Sequence, residues 1–179
     1  LTYSFKQQSD GAYAVWYDGA KLIGKVAADS LSFIDYKATN FYASWVCLQS
    51  INELSGFTVK TADKDYSFGI VYDDSEDAEE TYVITYNGKK LVASDFQSFY
   101  QECISLACSD YTVDKINAAP DMTFVFTYSD TSRAATSVEF KKASETKYQY
   151  SIDGIDMGKI NSSALNKILK QVQKLTAEK

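Results

Sequence analysis

YVITYNGKKL, residues 82–91, decides how this chain is read. Tyr82, Ile84 and Tyr86 alternate with Val83 and Thr85, and in an extended chain residues two apart share a face. Asn87-Gly88 then supplies the two positive-φ positions that a type I′ hairpin turn demands. The stretch therefore predicts a strand that ends in a tight reversal. Two other segments align with it without gaps, YAVWYDGAKL at 13–22 and YQYSIDGIDM at 148–157. Their glycines, Gly19, Gly88 and Gly154, are 69 and 66 residues apart. Each copy puts one apolar or aromatic face on its strand: Tyr13/Val15/Tyr17, Tyr82/Ile84/Tyr86 and Tyr148/Tyr150/Ile152.

The flanks of the second and third copies agree as well. FTVK (57–60) and YSFGIVY (66–72) precede the second, and TFVFTY (123–128) and TSVEFKK (136–142) precede the third. All four read as alternating strands. A helix closes each unit. Ser94 and Gln97 have the form of a capping box, ahead of Phe96, Phe99, Tyr100, Cys103, Leu106 and Ala107 at helical spacing. In the last unit Asn161 or Ser162 is the expected cap, and Leu165, Ile168, Leu169, Val172 and Leu175 form the apolar stripe, with Lys167, Lys170 and Lys174 outside it. The first unit is less regular. SLSFID (30–35) is a candidate strand, and a helix is expected over Thr39–Asn52 with Phe41, Trp45 and Leu48 on one side and Trp45 in the core. Extended structure is the alternative for YASWVCL.

The expected fold is α+β, built from repeated antiparallel meander-plus-helix units of about three strands and one helix. The units span 1–55, 56–110 and 111–179, packed as one compact body. By the period, the first unit would start about ten residues before Leu1, so an upstream segment, a signal or anchor, is expected to precede the chain.

Composition narrows the function classes. At 179 residues the chain can bury roughly 70% of its unfolded surface without staples. Fourteen Tyr and 10 Phe favour strands. A net charge of −6 with no basic stripe argues against nucleic acid, where Lys and Arg must displace counterions. The same balance disfavours an anionic membrane surface. The longest apolar run, Ala12 to Tyr17, is six residues, far below the ~20 of a membrane helix.

With no His, Ser-His and Cys-His nucleophiles and histidine zinc sites are excluded. Neither of the Gly-rich phosphate loops occurs. Carboxylate pairs remain a catalytic option, but Asp153 and Asp156 flank a turn that explains Asp on backbone grounds. The acidic run DDSEDAEE (73–80) lacks the Gly and the spacing of a calcium loop and reads as a solvated hairpin loop. Three cysteines fit no metal motif and read as packing residues. No catalytic residue, metal site or cofactor is therefore expected. The candidate ligand-binding residues lie where the copies differ, on the opposite strand face: Trp16, with Thr85 and Ser151 at the matching positions. Second-layer packing is the commoner role for such a Trp and stands as the alternative for Trp16.

The runs SLSFIDYKATNFYASWVCLQSINELSGFTVKTADKDYSFGIVY (30–72) and YVITYNGKKLVASDFQSFYQECISL (82–106) resemble the uncharacterised bacterial cell-envelope family catalogued as domain of unknown function 4340. The likeness spans about Leu1 to Leu175 and rests on hydrophobic pattern plus the phrases Asn87 to Leu91 and Phe96 to Tyr100. It implies an extracytoplasmic protein, anchored at the bacterial surface through an upstream lipid or membrane helix and in some members linked to transport components. It brings no active residue to this chain. The expectation is thus a non-catalytic accessory or binding domain and a monomer, with a protein or envelope-polymer partner. A glycan- or peptide-binding module, an inhibitor of a secreted enzyme and a carboxylate-dependent glycosidase are the alternatives.

Overall fold

The protein is described by a computed structural model, which covers residues 3–17, 21–35, 44–76, 78 and 80–177. Contacts divide the chain into two compact units, Leu1–Tyr42 and Ala43–Lys179. The architecture is α+β, mostly antiparallel sheet, with a three-stranded sheet in the first unit and an eight-stranded sheet with two helices in the second.

In the first unit β1 (Tyr3–Gln7), β2 (Tyr13–Tyr17) and β3 (Lys21–Val26) form a meander in that order. Gly11, at φ 82°, allows the first reversal, where Gln8 and Ala12 are joined through their backbones. Ala14 and Val15 are buried, whereas β1 is exposed along its whole length. The Asp18-Gly19 turn lies outside the described residues. SLSFID is not a strand: Ala28–Asp35 is a 3-10 helix. The Asp29 carboxylate and the Ala27 carbonyl both accept from the Ser30 N–H, a local bond that competes with extension.

The second unit runs through the strands β4 (Leu54–Thr61), β5 (Asp65–Tyr72), β6 (Tyr82–Tyr86) and β7 (Lys89–Leu91), then helix α1 (Ala93–Ile104). The same order follows again, with β8 (Met122–Tyr128), β9 (Thr136–Lys142), β10 (Lys147–Ile152) and β11 (Ile155–Asn161) leading to α2 (Ser162–Leu175). All eight strands share one sheet, ordered β11-β10-β9-β8-β4-β5-β6-β7. Each helix thus follows four strands rather than about three. The fourth strand is the partner that an Asn-Gly or Asp-Gly turn needs in order to close a hairpin. Asn87 (φ 48°) with Gly88 (74°), and Asp153 (49°) with Gly154 (82°), adopt the positive-φ pairs read from the sequence.

Alternation puts Phe57, Val59, Phe68, Ile70, Ile84, Phe124, Phe126, Val138, Phe140 and Tyr150 on one face. Both helices cover that face, contributing Phe96, Phe99, Tyr100, Cys103, Leu165, Ile168 and Val172. Phe57 sits at the centre, fully buried, its ring 5.0 Å from Phe126, 5.3 Å from Tyr100 and 5.6 Å from Phe124. Such tilted and edge-on contacts suit aromatic quadrupoles. Helix α1 lies beside α2, tied by Lys167 to Glu102 at 2.7 Å. No helix among the described residues is long and apolar enough to cross a membrane.

Three sequence expectations change here. Over the described residues Ser44–Asn52 there is no α-helix. Instead Val46 N–H donates to Leu106 O and Cys108 N–H to Ser44 O, both at 2.8 Å, so tertiary pairing takes the backbone groups a helix would use. Trp45 consequently turns outward at 46% exposure while its neighbour Val46 is buried, so Trp45 is not core. Nor does Ser94 cap α1. Its helix begins one residue earlier, with Val92 O accepting the first N–H groups, and Ser94 O accepts from the Ser98 hydroxyl. Asn161 holds the N-cap position of α2, without a side-chain bond.

Candidate functional site

A concavity of about 570 Å³ lies in the second unit between the β6–β7 turn and the C-terminal end of α2. A volume of that size accommodates a small ligand. A smaller space of about 310 Å³ adjoins it and shares Tyr86, Asn87, Thr176 and Ala177. The local sequence explains the shape. Only two residues separate β6 from β7, β7 is three residues long, and Val92 already caps the following helix. The sheet is short at this edge, and the end of α2 stands over the gap.

Tyr86 forms the inner wall. It closes β6 on the helix-covered face, its ring 5.4 Å from Phe68, with Lys64 Nζ 5.8 Å above it from the side of the smaller space. Leu91, Val92, Phe99 and Leu175 make the apolar lining. Gln171 enters from α2, immediately before the buried Val172. Thr176 closes the helix, its N–H and hydroxyl both donating to Val172 O.

Among the described residues the rim is basic, in an acidic protein. Lys89, Lys90 and Lys174 line the cleft together with Asp95. Lys90 pairs with Glu80 at 2.7 Å, whereas Lys89 and Lys174 form no ion pair with a described residue.

Two atoms set this cleft apart. Among the described residues, the Tyr86 hydroxyl and Gln171 Oε1 are the buried side-chain polar atoms that lack a hydrogen-bond partner. Tyr86 as a whole is only 7% exposed. An unpaired buried polar group costs about 1–3 kcal/mol, so two of them on residues that line one cavity require an explanation. Elsewhere such groups are paired. The Tyr128 hydroxyl meets Gln49 Oε1 and Thr136 Oγ1, both at 2.9 Å, and Tyr100 donates to Gln49 O at 2.9 Å. Burial pushes the Tyr100 phenol far above its ordinary range, which keeps that donor protonated.

The arrangement offers binding groups. Tyr86 can donate or accept, Gln171 Oε1 can only accept, and the lysines attract an anion. Among the described residues no group of three or more metal-ligating side chains occurs. A Ser-Lys pair exists elsewhere, with Lys147 Nζ 2.6 Å from Ser109 Oγ. Lys147 donates in that contact and the Ser109 proton goes to Lys159 O, so the pair ties loop to sheet.

The residues singled out from sequence lie apart from the cleft and from one another. Trp16 is half-buried on β2 of the first unit, opposite Ser4 and Leu22, where β2 carries a bulge. Thr85 is half-buried in mid-β6 on the face away from the helices, and its hydroxyl fills the space above Gly69. Ser151 is buried on β10 between Glu139 and Asp156. Five strand spacings separate β10 from β6, about 24 Å. Near Ser151, the Gln149 side chain accepts from Asp114 N–H and donates to Asp114 O, holding the 109–114 segment over the sheet.

From sequence Tyr86 is one residue of an apolar strand face, and Gln171 is not singled out. A signal for Tyr86 did exist: the aligned position of the third copy is Ile152, so the fold can be satisfied there without a hydroxyl. Gln171 carries no comparable signal. Comparison with protein-family models, with curated proteins and with solved structures found no match to the chain.

Proposed function

We propose that this protein is a non-catalytic binding domain acting outside the cytoplasm at a bacterial surface, and that it captures its ligand in the cleft between Tyr86 and Gln171. The observation that carries the binding reading is that two residues lining one cavity each hold a buried polar atom without a partner. The resemblance to the cell-envelope family supports the location, through an upstream anchor. The paired runs of four strands and a helix support a further reading, that β4 to α1 and β8 to α2 are copies of one unit. Their turns share the same positive-φ geometry and their strands stand in mirrored order across the β4–β8 pair.

Two experiments test this. Protease treatment of intact cells should digest the protein, and protection until lysis would refute the location. Titration of the ¹⁵N-labelled chain with a panel of envelope peptides and glycans should move amide resonances clustered at Tyr86, Asn87 and Gln171. Shifts that never cluster there, or hydrolytic turnover abolished by one Asp or Glu substitution, would refute the binding reading.

A further inference from the structure

Building on that binding reading, we infer that the cleft takes a peptide-like carboxylate: a secondary amide seated between Tyr86 and Gln171, an aliphatic side chain against Leu91 and Leu175, and a terminal carboxylate toward Lys89 and Lys174.

Complementarity of hydrogen bonding selects the amide. Gln171 Oε1 needs a donor, the Tyr86 hydroxyl can donate, and an amide offers one N–H and one C=O on adjacent atoms. Charge selects the carboxylate. Lys90 is balanced by Glu80, leaving Lys89 and Lys174 against Asp95 among the described residues around the main cavity. Counted over the described residues, the rim therefore carries a net positive charge although the whole chain carries −6. The lining selects an aliphatic group over a sugar. A sugar ring stacks on an open aromatic face, but the two rings here, Tyr86 and Phe99, are 7% and 3% exposed, and the apolar groups left to a ligand are the aliphatic Leu91, Val92 and Leu175.

The test uses N-acetyl-leucyl-leucine as the free acid, its C-terminal amide and a trimer of N-acetylglucosamine, each titrated into the ¹⁵N-labelled full chain. The free acid should give saturable shifts centred on Tyr86, Asn87, Gln171 and Lys174. Its amide should bind about 2- to 5-fold more weakly, the scale of one exposed charge contact. Tyr86→Phe and Gln171→Leu should each weaken the acid by about 2- to 10-fold, one hydrogen bond apiece. Lys174→Gln should weaken the acid while leaving the amide unaffected. No saturable shift with the acid, or equal binding of acid and amide, overturns the inference. Cleft shifts with the saccharide and none with the acid would overturn the ligand class while leaving the binding reading intact.

Discussion

Replacing Tyr86 by Phe separates a binding role from a structural one, because the two roles predict opposite signs of stability change. The substitution deletes one oxygen and keeps the ring, its contact with Phe68 and the ammonium of Lys64 above it. In the free protein that oxygen is buried and makes no hydrogen bond. Its desolvation is therefore uncompensated, at about 1–3 kcal/mol, and the lower end suits a neutral hydroxyl on a residue that lines a cleft. A stabilisation of about 1 kcal/mol is expected. For a cooperative unit of roughly 140 residues the unfolding entropy near Tm is about 0.3 kcal/mol/K, so Tm should rise by about 3 °C. Chemical denaturation should show the midpoint moving up at constant m-value, since neither state changes its exposed area. Calorimetry and urea titration of the full chain measure both. A fall in stability of 1 kcal/mol or more would mean that the hydroxyl is paired in the folded protein, and the argument for the cleft would collapse with it.

Other substitutions probe the frame that holds the cleft. Phe57→Ala removes the ring at the centre of the aromatic cluster and should cost about 3–5 kcal/mol, read by urea titration. Gly158→Ala should destabilise the second unit by more than 1 kcal/mol, because the new methyl would meet Asp110 O at 2.7 Å and Cys108 Sγ at 2.9 Å. Unchanged hydrogen exchange along 109–114 would contradict that placement. Tyr100 gives a pH signature. Its folded pKa is raised by burial above the ordinary tyrosine value, so its contribution is complete below about pH 10 and declines as pH rises further. Wild type should lose stability above pH 10 more steeply than Tyr100→Phe, and parallel curves would refute the assignment.

The turn chemistry was legible from the residues because Asn-Gly and Asp-Gly have few alternatives to a positive-φ reversal. The buried faces were legible because period-2 alternation survives in Tyr66/Phe68/Ile70 and Phe124/Phe126/Tyr128. Both helices appeared where the period changed to 3.6. What escaped depends on non-local pairing. Ser44 to Asn52 looks helical by spacing but spends its backbone on Leu106 and Cys108, about 60 residues away. Trp45, being large and apolar, gave no sign that its neighbour would take the buried position. The cleft escaped for a related reason. Tyr86 satisfies the strand pattern as well as Tyr17 does, and only the three-dimensional neighbourhood shows that its hydroxyl has no partner. The contrast with Ile152 was visible, but divergence was sought on the other strand face, at Trp16, Thr85 and Ser151.

The mirrored strand order has a consequence for how the second unit folds. Every adjacent strand pair except one is consecutive in the chain, so six of the seven pairings in this sheet are local. The exception is β4 against β8, which brings Thr61 opposite Met122. Closing that span of about 60 residues costs roughly 2.4 kcal/mol more than closing a four-residue hairpin, by the logarithmic dependence on loop length. Each half can form its meander early, and the joining of the halves along Phe57 and Phe126 sets the barrier. Substitutions in that seam should therefore slow folding, whereas those in the cleft, whose walls come from β6–β7 of one half and α2 of the other and meet only once the halves have joined, should act mainly on unfolding. The residues of the cleft can then be changed with little effect on the rate of folding.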